Sequence, residues 1–303
     1  MCIVSQSFFW AWSAKASSGT APSPYDRDME FHGAGTVVTG ASGGIGEALA
    51  RRFHHLGASV VVSDVVEAGI TNLAVELNAK RPNSVLAVTA DVSTEKSNEQ
   101  LVATARQFLS QNGGSGIDLF FANAGVGNGT LIETTSESDW NLAFNVNVHA
   151  HRWAAKYLLE EWLKTGRGYF CSTASAAGLL SQIGSMPYSM TKSAAVAFAE
   201  SLAITYGDRG IRVSCLCPQG VNTNMLRQGD TPGAGIASDV VRSAGDVLEP
   251  DEVAIVVSDA IEQEKFLILP HPQVAEFEQR KAADRDRWLS GMRKLQARVY
   301  VKG

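Results

Sequence analysis

The stretch Thr39-Gly40-Ala41-Ser42-Gly43-Gly44-Ile45-Gly46 constrains this chain more than any other. It joins a β-branched run at 36–39 to a segment where Ile45, Leu49, Phe53 and Leu56 recur at helical spacing until Gly57. A strand that enters a helix through such a turn must bend sharply and let its backbone approach an anion. It must also aim the first helical N–H groups at that anion. Glycine clusters are common, but this position between strand and helix points to a dinucleotide-binding turn. The expected contacts are Thr39, Gly40, Ser42, Gly44, Ile45 and Gly46.

The alternation then repeats. Short β-rich runs at 59–63, 85–89, 118–121, 168–172, 212–216 and 266–269 are separated by helical stretches. Most are continuously apolar, as parallel strands buried on both faces are. The pattern predicts an α/β fold: a doubly wound parallel sheet with helices on both faces, forming one domain over 29–303. Residues 1–28 contain an apolar patch at 8–12, but no Lys or Arg precedes it and Ser5, Gln6 and Ser7 interrupt its approach. They read as a poorly ordered extension. Residues 222–247, rich in Gly, Ser, Asp and Thr, read as a mobile substrate lid. Residues 271–303, with the run Asp284-Arg285-Asp286-Arg287, read as a solvated helical tail.

Charge and cysteine usage remove several functions. The formal net charge is −5 with no basic block, so no nucleic-acid partner is expected. No apolar run approaches the roughly 18 residues of a membrane span. Four unpatterned cysteines suit a reducing cytoplasm. Cys215 and Cys217, two apart, would share a strand face as small buried hydrophobes. His54 and His55 are expected on a solvent-facing helix, and His149 and His151 point apart, so no metal site is expected.

Asp64 ends the second strand, where a carboxylate accepts hydrogen bonds from a ribose diol. Its charge would repel a 2′-phosphate, which predicts NAD(H) over NADP(H). Asp91 and Val92 follow the third strand and would flank the adenine. Asn123-Ala124-Gly125 follows the fourth, where the chain passes beneath the cofactor. In Tyr188-Ser189-Met190-Thr191-Lys192, the i and i+4 positions share a helix face. A phenol of pKa about 10 is a poor base at neutral pH, and a neighbouring ammonium favours its ionised form. A shift of about three units needs about 4 kcal/mol.

Taken in order, T-G-x-x-x-G-x-G, Asp64, N-A-G, a serine and Y-x-x-x-K resemble the short-chain dehydrogenase/reductase (SDR) family over residues 33–270, with its Rossmann fold. The resemblance implies hydride transfer between a substrate carbinol carbon and a nicotinamide. It implies Tyr188 as acid/base and Lys192 as the group that tunes it and binds the nicotinamide ribose. Ser175 would hold the substrate oxygen, with Ser172 and Thr173 as rivals. Asn147 would hold a water chain behind the lysine, with Asn145 as runner-up. Pro218, Gly220, Val221 and Thr223 match the cofactor motif after the sixth strand, while Gln219 replaces its glycine. A hydrophobic alcohol or ketone is expected in a pocket of Val126, Leu179, Ile183, Met186, Met225 and Leu226. The family pairs helices across a two-fold axis. Residues 138–163 and 187–208, with Trp153, Leu158 and Trp162, are therefore expected to build a homodimer or homotetramer. The competing reading is a catalytically silent NAD(P)-binding regulator, and the intact Asn-Ser-Tyr-Lys set argues against it. An epimerase or dehydratase would usually carry a larger C-terminal substrate domain than follows Thr223 here.

Overall fold

Seven strands, β1 (Gly35–Thr39), β2 (Ser59–Asp64), β3 (Val85–Thr89), β4 (Leu119–Ala122), β5 (Gly168–Thr173), β6 (Ile211–Leu216) and β7 (Leu267–Ile268), form one parallel sheet. Their order is β3-β2-β1-β4-β5-β6-β7. The computed structural model describes residues 29–112, 114–228, 240–242 and 245–300. The expected N-terminal extension, and residues 229–239 and 243–244 of the expected lid, lie outside the described residues.

Successive side chains of a strand point to opposite faces, and here both faces are covered. Val37, Val61, Phe120, Phe170 and Val213 enter one core. Its cover comes from α3 (Glu95–Gln111), α5 (Ala150–Thr165) and α7 (Met186–Tyr206). Val38, Val60, Val62, Phe121 and Cys171 enter the other, under α1 (Gly44–His55), α2 (Glu67–Lys80) and α9 (Pro250–Glu262). This double burial explains the continuous apolar runs. Each buried Phe or Val contributes about 1.5–3 kcal/mol over exposure. Met29 and Phe31 join the second core, Phe31 stacking on Phe53 at 4.7 Å. The folded part therefore begins upstream of β1.

Four expectations about packing and the substrate pocket need correction. His54 does not face solvent: it is buried, 2.9 Å from Ser84 Oγ. Trp153, Leu158 and Trp162 point inward, and the Trp162 indole donates to Ile117 O at 2.7 Å while covering Gly168. The tail is two helices, α10 (Gln273–Ala283) and α11 (Arg285–Tyr300). Asp284 breaks the chain in extended geometry, and its carboxylate accepts from Arg287 N at 2.9 Å. Val274 is fully buried and Phe277 and Trp288 pack on the core, so the tail is docked rather than merely solvated. The fourth correction concerns the substrate pocket and follows below. Cys215 and Cys217 are free and buried as expected, with their Sγ atoms 3.8 Å apart, and Cys171 is likewise free and buried. Among the described residues, no helix is long and apolar enough to cross a membrane.

Candidate active site

Strand order reverses between β1 and β4, and a crevice opens at the carboxyl ends of strands at such a point. A cleft of about 500 Å³ lies here. Gly46 lets α1 start against the turn, because a Cβ there would collide with the Gly40 carbonyl. Gly40 itself has φ +67°, in the left-handed region. Gly43 caps α1 without any side-chain hydrogen bond. The opening N–H groups of the helix are thus left for an anion. Thr223 packs on this turn: a Cβ on Gly44 would meet its Cγ2 at 2.9 Å.

Asp64 stands beside the turn, accepting from Ser42 N and Val66 N at 3.0 Å each. The two arginines of α1, Arg51 and Arg52, are engaged elsewhere. Arg51 pairs with Glu47 (2.7 Å) and Glu76 (2.5 Å), while Arg52 bonds Ser258 at 3.0 Å and approaches Asp259 at 3.7 Å. Asn123 ties three strand ends together: its Nδ2 donates to Thr39 O (3.0 Å) and its Oδ1 accepts from Thr173 Oγ1 (3.1 Å). Thr39 Oγ1 accepts from Asn123 N and Ala124 N.

Three of the catalytic candidates, Ser175, Tyr188 and Lys192, line the same cleft, and Asn147 stands behind it. Pro187 sits in the first turn of α7, where its missing N–H costs nothing. It delivers Tyr188 and Lys192 to the cleft wall one helical turn apart. Ser175 caps α6 (Ala176–Leu180), accepting from Ala177 N at 3.1 Å, and its hydroxyl neighbours the Tyr188 phenol. Lys192 is buried; its Nζ donates to Thr173 O at 2.8 Å and lies 5.6 Å from the Tyr188 ring centre. Asn147 lies in a π-helical stretch, Asn145–His149, an irregularity frequent at functional sites. Its Oδ1 accepts from Val126 N (2.8 Å), and its Nδ2 donates to Val126 O (2.9 Å) and Thr191 Oγ1 (3.0 Å). A Cβ at Gly125 would touch both Lys192 Nζ and Asn147 Oδ1, which places these two polar groups behind the Asn-Ala-Gly turn. The serine rivals are spoken for: Ser172 Oγ bonds His151 Nδ1 (2.8 Å) and Thr173 Oγ1 bonds Asn123.

Electrostatics departs from the sequence expectation. Burial raises the pKa of Tyr188, more than the Ser175 hydroxyl lowers it. Burial also pulls Lys192 down to about 8. The lysine spends its bond on a carbonyl rather than on the phenol, so desolvation of both groups wins in the chain alone.

Gly40, Ser42, Gly44, Ile45, Asp64, Asn123, Ala124, Gly125, Pro218, Val221 and Thr223 all line the cleft, as do Ser175, Tyr188 and Lys192. Other expected contacts lie off it. Asp91 is exposed and accepts from Ser93 N, Val92 is buried, and the Gly220 carbonyl accepts from His271 Nε2 at 3.0 Å. The apolar substrate pocket is only partly formed: Met225 and Leu226 line the cleft, while Leu179 and Ile183 are buried off it and Met186 is exposed. Sequence reasoning missed Gln182 and Ser185, which line the same wall. Their place between Ser175 and Tyr188 was the available signal.

Comparison with known proteins gives the class. The short chain dehydrogenase model matches residues 35–232, and the chain belongs to that family. It is 32% identical to meso-2,3-butanediol dehydrogenase of Serratia marcescens over 230 residues, covering 76% of this chain and 88% of the relative. It is 35% identical to 1-deoxy-11-beta-hydroxypentalenate dehydrogenase of Streptomyces exfoliatus over 248 residues, covering 79% and 84%. A short chain dehydrogenase/reductase from Burkholderia phymatum, solved in complex with NAD, superposes with TM-score 0.77 at 28% identity over 85% of this chain and 96% of that one.

Proposed function

We propose that the chain is an NAD(H)-dependent oxidoreductase that interconverts a secondary alcohol and a ketone. One observation carries this reading: Ser175, Tyr188 and Lys192 share a cleft with the glycine turn and Asp64. The dehydrogenase relatives and the NAD complex of the Burkholderia neighbour support it.

The uncapped start of α1 would hold the pyrophosphate, and Asp64 the adenine ribose. When bound in this cleft, a nicotinamide would supply or take up the hydride. Ser175 holds the substrate oxygen against Tyr188. The protonated Tyr188 hydroxyl gives its proton to a ketone oxygen, or as phenolate takes it back from the alcohol. Lys192, fixed by Thr173, would hold the nicotinamide ribose, and Asn147 anchors the turn beside it through Val126 and Thr191.

Tyr188→Phe is the direct test. It should cut turnover at least tenfold while leaving NADH affinity within about twofold, since the ring still packs and only the proton-transfer group is gone. More than a tenth of the wild-type rate in this variant would defeat the assignment.

A further inference from the structure

The cleft wall beside Ser175 contains an amide to which the proposed reaction gives no task. The Pro218 carbonyl accepts from Ala176 N (2.8 Å) and from Ser175 Oγ (3.4 Å), so residue 219 stands one peptide from the serine. Gln219 occupies it, half-buried and lining the cleft. It is held from the C-terminal segment at both backbone and side chain. Its N–H donates to His271 Nδ1 (3.2 Å), and its Oε1 accepts from Gln273 Nε2 (3.4 Å). Gly245 backs the amide pair: a Cβ there would lie 2.7 Å from Gln273 Nε2 and 3.5 Å from Gln219 Oε1.

One end of the Gln219 amide is therefore oriented. The other end, Nε2, meets no acceptor among the described residues. Gln219 lines the cleft, so a ligand oxygen there can take the place of water on an amide donor that glycine or an apolar residue would not offer. We propose that Gln219, positioned by Gln273, binds a second oxygen of the substrate, and that the preferred substrates are hydroxyketones and the corresponding diols. A hydroxyl both donates and accepts, so it satisfies the free end of the amide in either orientation. The proposal rests on Ser175 and Tyr188 being the reacting end of the site.

Binding separates the two ideas. In Tyr188→Phe loaded with NADH, calorimetry compares 3-hydroxybutan-2-one with butan-2-one. The hydroxyketone should bind about tenfold tighter, about 1.4 kcal/mol, the scale of one net hydrogen bond. Adding Gln219→Leu should bring the ratio within about twofold, and Gln273→Leu, which leaves the cleft wall intact, should erode it. Unchanged NADH affinity in these variants shows that the fold survives. A parent without preference, or a preference that survives Gln219→Leu, overturns the proposal. Consumption of NADH by Tyr188→Phe would count against the catalytic reading instead.

Discussion

His151 is buried behind β5, with its Nδ1 on Ser172 and its Nε2 without a partner among the described residues. Burial, helped by the charge of Lys192, pulls its pKa from 6.5 to about 3. The folded state therefore binds fewer protons than the unfolded chain below pH 6.5. This group's contribution is complete above that value and is lost as pH falls towards 3. Between pH 7 and 5 the loss is about 2 kcal/mol for one such group. Buried His54, also lowered, adds to it. Urea unfolding at the two pH values should show the fall, and His151→Leu should reduce it by about that amount. An unchanged pH dependence would mean that His151 protonates in the fold. Asp64 carries a second residue-scale prediction. A carboxylate about 4 Å from a phosphate charge costs about 4 kcal/mol before screening, and tenfold discrimination needs only about 1.4. Among the described residues, Arg51 and Arg52 of α1 are engaged by other groups, and the residues after Asp64, Val65, Val66 and Glu67, add no positive charge. Wild-type kcat/KM should favour NADH over NADPH at least tenfold, and Asp64→Ala should erode the ratio. An unchanged ratio would show that Asp64 does not read the ribose.

At the scale of elements, what the sequence made legible is what local chemistry decides. All seven strands fall within two residues of their expected limits, because a strand buried on both faces must be apolar throughout. The glycine turn was legible because Gly46 meets Gly40 across a few residues of chain. The C-terminal segment was not. Val274, Phe277 and Trp288 make a weak apolar stripe among charges, and their partners lie in distant elements. Lys281 Nζ bonds Leu179 O and His271 bonds the 219–220 backbone, contacts without any local signature. His54 escaped for the same reason, since its partner Ser84 lies on the approach to β3. The substrate wall was misread because Leu179 and Ile183 serve the core, leaving Gln182, Ser185 and Gln219 on the cleft. The segment after Thr223 is closed at its base by a Val221–Leu248 bridge, with Asn222 N donating to Leu248 O at 2.9 Å. Beyond that base, Met225, Leu226 and Val241 stand on the cleft wall.

At the scale of the whole molecule, the inward turn of Trp153, Leu158 and Trp162 removes the side chains first expected to join two copies. The outward faces of α5 and α7 take their place. Between them runs a groove of about 560 Å³ lined by Arg152, Lys156, Leu159, Phe198, Ser201 and Tyr206, among others. A two-fold interface must be complementary to itself, so like charges there are a liability. This face handles its own: Lys156 pairs with Glu95 at 2.6 Å and Arg152 lies over the Trp153 ring. Leu159, Phe198 and Tyr206 then form an apolar centre. Two helices of 16 and 21 residues can supply the roughly 800 Å² per partner that a stable interface needs. We therefore propose a homodimer or homotetramer built on this face. Ser201 is exposed at the groove, so Ser201→Arg adds bulk and charge there without entering the core. Light scattering at micromolar concentration should give a multiple of 32.3 kDa for the wild type and a shift towards the single-chain mass for Ser201→Arg. A wild type found only at the single-chain mass ends the proposal. An assembly indifferent to Ser201→Arg moves the interface to another face.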